Sequence, residues 1–163
     1  MTTLAEQLGE LLEAHGLMLA TAESCTGGGV AQAITEVAGC SAWFDRGFIT
    51  YTNLAKQQML GVRENTLLQH GAVSEMTVRE MVAGALANSV AQVALAVSGI
   101  AGPGGGTTEK PVGTVWFGWA VKDKPGVTQL HHLAGSRSEI RSQAAHIALL
   151  GTINILNKLT EET

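Results

Sequence analysis

The chain has 163 residues, the size of one domain, and it carries a net charge of −4 at pH 7 with only 15% charged residues. This balance and the lack of a Lys/Arg cluster argue against nucleic-acid binding, which depends largely on neutralising phosphates. The N-terminus does not resemble a signal peptide, and no apolar run approaches the roughly 18 residues of a membrane span. We therefore expect a soluble, cytoplasmic protein with no membrane or nucleic-acid partner.

The first predicted elements are a helix, a strand and a second helix. Leucines at helical spacing, followed by Gly16, predict an amphipathic helix over residues 3–15. The apolar run Leu17–Ala22 predicts a short buried strand, and it leads into the small polar and glycine-rich turn of residues 23–29. A helical pattern follows from Val30 to Val37. This order of strand, glycine turn and helix is typical of sites that aim backbone N–H groups at an anion.

The rest of the chain supplies further strands and helices. Strands are predicted over residues 47–51, 93–98, 112–121 and 127–133, and helices over residues 53–60, 64–70 and 74–88 and from Ser136 or Ser138 to about 158. We expect one α/β domain over residues 1–163, with helices enclosing an apolar sheet. Trp116 and Trp119 point to opposite faces of one strand, so both can be core only if helices cover both faces of the sheet.

A second glycine-rich segment, Ser98–Thr114, follows another apolar strand. Either a backbone cradle for a ligand or a turn-rich connection explains it. If the strands ending at Ala22 and Ser98 are neighbours, both glycine turns meet at the carboxyl edge of the sheet, where α/β proteins usually bind ligands. Neither turn has the dinucleotide fingerprint or a Walker lysine, so a nucleoside triphosphate is not expected.

Ser41, Tyr51 and Lys56 are candidates for chemistry. A hydroxyl nucleophile needs a base, and a lysine can serve if burial or a nearby cation keeps it neutral. Judged by spacing alone, the same residues are more often a turn serine and a solvated lysine. The histidines and the two cysteines lack metal-ligand spacing, so no metal site is expected, and two thiols in a chain this long suggest a reducing compartment.

Ser24 and Thr26 follow the first strand, where their hydroxyls can bind phosphate or ribose or merely cap the next helix. Arg137 and Arg141 lie one turn apart at the start of the last helix. They can contact a phosphate, or remain at the surface and pair with Glu139. The sequence leaves these alternatives open.

Four segments together resemble the CinA C-terminal domain family. They are Thr21–Gly28, Gly39–Lys56, Gly71–Glu75 and the pair Ser98–Pro103 with Lys110–Thr114, and they follow the family's order over residues 4–158. The resemblance implies a layered α/β/α sandwich with a central mixed sheet, and a homo-oligomer, dimer or higher. It also implies hydrolysis of nicotinamide mononucleotide to nicotinate mononucleotide and ammonia, in pyridine nucleotide recycling. The family's domain occurs alone or behind a larger domain, and this chain resembles the stand-alone form.

The resemblance implies roles for individual residues, with no metal or cofactor. Ser41 is the expected nucleophile, Lys56 its base and Tyr51 the group that orients them, with Ser24 next in line if Ser41 and Lys56 lie apart. The backbone of the Ser98–Ala101 turn is our preferred oxyanion hole. The expected substrate-binding residues are Ser24, Thr26, Gly27, Gly28, Ser98, Gly99, Ala101 and Arg141. The alternative function is a non-catalytic nucleotide-binding module associated with competence, which the same glycine turns would suit.

Overall fold

The computed structural model describes residues 1–162, in which a five-stranded sheet lies between two layers of helices. The strands are β1 (Leu19–Glu23), β2 (Phe44–Ile49), β3 (Val93–Gly99), β4 (Thr114–Val121) and β5 (Val127–His132). The helices are α1 (Leu4–His15), α2 (Gly29–Thr35), α3 (Asn53–Leu60), α4 (Glu64–His70), α5 (Glu75–Ala87) and α6 (Arg137–Glu162), and a 3₁₀ turn covers Cys40–Ala42. The predicted domain covers residues 1–163, and its last residue, Thr163, lies outside the described residues.

The sheet is mixed, with strand order β2-β1-β3-β4-β5. The first strand runs parallel to both β2 and β3, whereas β3, β4 and β5 are successively antiparallel. Glu23, the last residue of β1, is level with Ile49 of β2 and Val97 of β3. The two glycine turns that follow β1 and β3 therefore meet at one edge of the sheet, as the sequence analysis expects for neighbouring strands.

Helices cover both faces of the sheet. One core joins it to α1, α2 and α6, and its buried members include Leu8, Leu12, Ile34, Trp119, Ile140 and Leu156. The other core joins the sheet to α3, α4 and α5, and it includes Leu60, Leu67, Val78, Met81 and Ala94, with Trp116 packed against it. The two tryptophans of β4 thus belong to different cores, and the predicted α/β/α sandwich is confirmed.

Hydroxyl caps begin four of the described helices, including α6, where Ser136 accepts a hydrogen bond from the Glu139 N–H. Thr3 accepts a hydrogen bond from the Glu6 N–H at α1, Thr52 accepts one from the Ala55 N–H at α3, and Ser74 caps α5 as predicted, through the Thr77 N–H. Gly16 and Gly61, both left-handed, follow α1 and α3. The cap at Thr52 fixes where α3 starts, and α3 carries Lys56.

The largest difference from the predicted elements is at β2. The strand runs from Phe44 to Ile49 rather than from Gly47 to Tyr51. It is an edge strand whose side chains are half-buried or exposed, so its apolar pattern is weak. None of the helices within residues 1–162 has the length and apolar character needed to cross a membrane.

Candidate active site

The serine that contacts Lys56 is Ser24. It follows β1 directly, and its N–H donates to the carbonyl of Val97 at 3.0 Å, which ties the turn to β3. Lys56 Nζ lies 2.9 Å from Ser24 Oγ. Both side chains are buried, and Lys56 shares the inward face of α3 with Leu60. The pair has the contact that a hydroxyl nucleophile needs with its base.

Two backbone carbonyls hold the amine of Lys56 in place. Nζ donates to Thr50 O at 2.9 Å and to Tyr51 O at 3.3 Å. Only 1% of the residue is exposed, and this burial lowers its pKa from 10.5 to about 8. In the neutral amine, two N–H bonds serve the two carbonyls and the lone pair is left for the Ser24 hydroxyl. Lys56 can therefore accept a proton from Ser24.

Ser41 lies elsewhere. It is exposed in the 3₁₀ turn that precedes β2, whereas Lys56 follows that strand. Phe44 pairs with Leu19 at the start of β1, and Ser24 comes after the end of β1. A strand of this length spans roughly 15–20 Å, so the structure does not bring Ser41 to Lys56. The predicted Ser41–Lys56 pair is corrected to Ser24–Lys56, because β2 carries the chain across the sheet between residues 41 and 56.

Tyr51 meets Lys56 through its carbonyl and not through its phenol. The phenol oxygen accepts a hydrogen bond from Arg137 Nη2 at 2.7 Å, and Arg137 Nη1 donates to Gly102 O at 2.7 Å. The Arg137 guanidinium therefore connects the segment after β2 with the glycine-rich segment after β3. Of the two alternatives that the sequence leaves open for Arg137, the structure supports a place in the site.

Ser24, Lys56, Tyr51 and Arg137 line one cleft of about 260 Å³. Gly99 and Ala101 also line it, as expected for the second glycine turn. A side chain at Gly99 would overlap Val115 and the Thr114 carbonyl, so glycine lets β3 approach β4 closely there. The cleft opens at the carboxyl ends of β1 and β3, the usual place for a ligand in this class of fold.

The hydroxyl of Ser98 has a structural partner. It is buried and donates to Ala72 O at 2.8 Å, which ties β3 to the loop before α5. The neighbouring Ile100 N–H donates to Thr114 O. Within the expected Ser98–Ala101 turn, Ala101 also lines the cleft, whereas the Gly99 N–H is hydrogen-bonded to the Cys25 sulfur.

A buried carboxylate occupies the start of α2. Glu23 Oε1 accepts hydrogen bonds from the Thr26 hydroxyl at 2.6 Å and from Val30 N–H at 2.9 Å, and Oε2 accepts one from Ala31 N–H at 3.0 Å. The first N–H groups of α2, where the sequence order favours an anion, are therefore engaged by the chain's own carboxylate. The sequence analysis missed Glu23, although an acid before a glycine turn and a helix is a recognisable capping signal.

Arg141 lies behind the turn, outside the residues that line the cleft. It faces a larger cavity, about 770 Å³, between α1, α2 and α6. Its Nε donates to Cys25 O at 3.0 Å and its Nη2 to Thr26 O at 3.3 Å. The sequence predicts that Arg141 holds a phosphate together with Thr26 and Gly27. In this structure its guanidinium instead donates to backbone carbonyls of the turn. We place the chemistry in the smaller cleft, because it contains Ser24 and Lys56.

Cys25, next to Ser24, is not a competing nucleophile. It is buried, and the loss of solvation raises the pKa of its thiol to about 11. The reactive thiolate is therefore scarce at neutral pH. Within residues 1–162, no group of three or more His, Cys, Asp or Glu side chains is placed to hold a metal ion.

Comparisons with known proteins agree with the fold and identify the family. The model of the CinA C-terminal domain matches residues 1–156. The nicotinamide-nucleotide amidohydrolase PncC of Escherichia coli K12 is 57% identical over 90% of this chain and 88% of its own length, and that of Pseudomonas putida is 48% identical over 95% and 96%. The crystal structure of competence damage-inducible protein A from Klebsiella pneumoniae superposes with a TM-score of 0.91, at 41% identity, over 94% of this chain and 95% of that one.

Proposed function

The chain belongs to the CinA C-terminal domain family, and we propose that it hydrolyses the carboxamide of nicotinamide mononucleotide, giving nicotinate mononucleotide and ammonia. The observation that carries this proposal is the buried Ser24–Lys56 pair, with 2.9 Å between Oγ and Nζ at the cleft. The relatives' names supply the substrate, and the geometry supplies chemistry suited to an amide.

In the first half of the proposed reaction, Ser24 Oγ attacks the carboxamide carbon while its proton passes to the neutral Lys56 amine. The carbonyl oxygen becomes an oxyanion, for which the Ala101 N–H is our candidate donor. Lys56 then returns the proton to the amide nitrogen, the C–N bond breaks and ammonia leaves. The product of this half is an ester between Ser24 and the nicotinate carbonyl.

In the second half, a water molecule attacks the ester and gives a proton to Lys56. The bond between Ser24 Oγ and the acyl carbon breaks, and Lys56 reprotonates the departing serine oxygen. The product forms as nicotinic acid, gives its proton to solvent water and leaves as a carboxylate. The carbonyls of Thr50 and Tyr51 hold the amine throughout, so one nitrogen can act as base and acid in both halves.

We assign the phosphate of the substrate to Arg137. It lines the cleft, is exposed at the start of α6, and has a planar donor group that suits phosphate oxygens. Its hydrogen bonds to Tyr51 and Gly102 orient the guanidinium without neutralising its charge. The turn at Ser24–Gly28 is less suited to phosphate because Glu23 occupies it.

We further propose a homo-oligomer and a cytoplasmic location. Large apolar side chains are exposed near the cleft, with exposures of 50% for Ile49 and 60% for Leu54, and such residues are typical of interfaces. Light scattering of the purified chain tests the oligomer, and a monomer at micromolar concentration would contradict it.

The free cysteines Cys25 and Cys40 suit a reducing compartment, and fractionation of cells that express the chain tests the location.

The deciding experiment measures ammonia released from nicotinamide mononucleotide by the purified chain and by three variants. Ser24→Ala and Lys56→Met should lose at least about 1,000-fold in kcat, because nucleophile and base act as a unit. Ser41→Ala is the matched control and should keep kcat within about twofold, since Ser41 is remote from Lys56. Because every step uses groups of the chain itself, release should persist with a chelator present.

Two results would overturn this assignment. If Ser24→Ala were active, Ser24 would not be the nucleophile. If Ser41→Ala were folded but inactive, Ser41 would again be the expected nucleophile. Binding of the mononucleotide without any ammonia release would favour the non-catalytic binding module. The buried lysine argues against that module, because binding alone does not need an amine with a lowered pKa beside a serine.

A further inference from the structure

We propose that Arg141 is a positioning residue, which holds the turn after β1 so that Ser24 Oγ faces Lys56. It acts through the backbone and does not touch the substrate. The inference rests on the proposed function, because it explains how that reaction's nucleophile is kept in place.

The described hydrogen bonds of the Arg141 side chain are all to the turn that carries Ser24. Its guanidinium donates to the carbonyls of Cys25 and Thr26, the two residues that follow the nucleophile. Among the described hydrogen bonds, the Cys25 carbonyl accepts from Arg141 only. A side chain at Gly27 would come within 3.1 Å of Nη2, so the guanidinium lies close against the turn.

This turn needs such support because its own backbone is adaptable. Gly27 and Gly28 have φ values of +58° and +102°, and glycine moves among such conformations easily. The Ser24 N–H bond to Val97 fixes the start of the turn, and the buried carboxylate of Glu23 holds the Thr26 hydroxyl and the first N–H groups of α2. After Ser24, the side chain of Arg141 supplies two donors from a different element, α6. A displacement of about 1 Å at Ser24 would cost on the order of 100-fold in rate.

Arg137 and Arg141 form a natural matched pair. They lie one turn apart on α6, and each donates two hydrogen bonds to other segments. Arg137 lines the cleft, whereas Arg141 faces the cavity behind the turn. Loss of Arg137 should weaken substrate binding and raise KM. Loss of Arg141 should leave KM within about twofold and lower kcat about 10- to 100-fold.

The experiment compares Arg141→Ala with Arg137→Ala in the ammonia-release assay, with thermal melts of both. The 770 Å³ cavity beside Arg141 leaves room for a free guanidinium ion to enter where the side chain is removed. Guanidinium at non-denaturing concentration should raise the kcat of Arg141→Ala at least about threefold, toward the wild-type value. The same concentration of sodium chloride should not, and guanidinium should leave the wild type unchanged. Arg141→Lys keeps one donor, and its kcat should lie between those of Arg141→Ala and the wild type.

Several outcomes would overturn the inference and leave the proposed function intact. In each of them the wild type is active. The Arg141→Ala variant then has a normal kcat, or its KM rises as in Arg137→Ala, or guanidinium does not restore its kcat. If Arg141→Ala does not fold, Arg141→Lys decides, and a wild-type kcat in that variant also overturns the inference. A wild-type chain that releases no ammonia would overturn the proposed function, and this inference with it.

Discussion

The amine of Lys56 is the group whose protonation decides whether Ser24 is activated. As an ammonium it donates to Ser24, Thr50 and Tyr51 and has no lone pair, whereas the neutral amine can accept the serine proton. Burial lowers its pKa to about 8, so the active form gains population as pH rises. We expect kcat/KM to rise through about pH 8 and then level off, and to be about 100-fold lower at pH 6.

A pH–rate profile of ammonia release measures this directly. Lys56→Arg is the control. Its guanidinium keeps its proton throughout the range, so this variant should be inactive at every pH. An activity that falls as pH rises through 8, or a flat profile between pH 6 and 9, would mean that Lys56 is not the base.

Arg137 is predicted to recognise the phosphate and no other part of the substrate. Arg137→Met keeps the length of the side chain but removes the charge, and KM for nicotinamide mononucleotide should rise about 10- to 100-fold. The riboside, which lacks the phosphate, should show nearly the same kcat/KM with variant and wild type. Steady-state kinetics with both substrates measures the difference.

Lys124→Met is the matched control for Arg137→Met. It also removes an exposed cation, one paired with Glu162 at the far end of α6, and should leave both substrates unaffected. If Arg137→Met impaired the riboside as much as the mononucleotide, the phosphate assignment would fail.

Single residues show how far the sequence can lead. Lys56 and Tyr51 were predicted for the site by family resemblance, and Ser24 by its place after a buried strand. The pairing was mispredicted, because sequence distance is no guide when a strand intervenes between Ser41 and Lys56. One available signal was that Lys56 and Leu60 lie at (i, i+4) spacing, which places the lysine on the buried face of α3.

At the scale of elements, α3 carries Lys56 and rests against α5. A side chain at Gly84 of α5 would overlap the carbonyl of Leu60, the last residue of α3. Gly84→Ala should therefore lower the free energy of unfolding by about 1–3 kcal/mol through overpacking. It should also lower kcat, because α3 must shift and take Lys56 with it. Urea unfolding and the ammonia assay measure the two effects.

Gly29→Ala is the control for this substitution. It opens α2, has no neighbour within 4 Å of an added side chain, and its backbone is not in the left-handed region. Alanine favours a helix, so this variant should be as stable as the wild type or up to about 1 kcal/mol more stable. Equal stability of the two variants would show that the contact between α3 and α5 can relax.

The elements were more predictable than their contacts. Apolar spacing located the six helices and the buried strands, since burial imposes that spacing. It placed the start of β2 three residues too late, because the half-exposed residues of this strand lack the pattern. Nor could it show that Glu23, rather than a substrate phosphate, occupies the start of α2, because either anion satisfies the same N–H groups.

For the whole molecule, strand order decides where the cleft forms. From β1 the chain goes to one side to form β2 and later to the other side to form β3. The loops after β1 and β3 therefore begin side by side at the carboxyl edge and lead to opposite sides, which makes this the switch point where α/β folds bind ligands. The sequence predicts the site at this edge only if β1 and β3 are neighbours. It cannot show that they are, because their pairing joins segments that are distant along the chain.

The last prediction concerns the stability of the molecule when its cleft is filled. A ligand at 100 times its Kd stabilises the folded state by about 2.7 kcal/mol, which for a domain of this size raises Tm by about 5–10 °C. Ser24→Ala should show this shift with nicotinamide mononucleotide, since it keeps the cleft but cannot hydrolyse the substrate. The double variant with Arg137→Met should need about 10- to 100-fold more ligand for the same shift. Thermal unfolding over a ligand series measures both. If the ligand did not raise the Tm of Ser24→Ala although the wild type was active, the cleft at the ends of β1 and β3 would not be where the substrate binds.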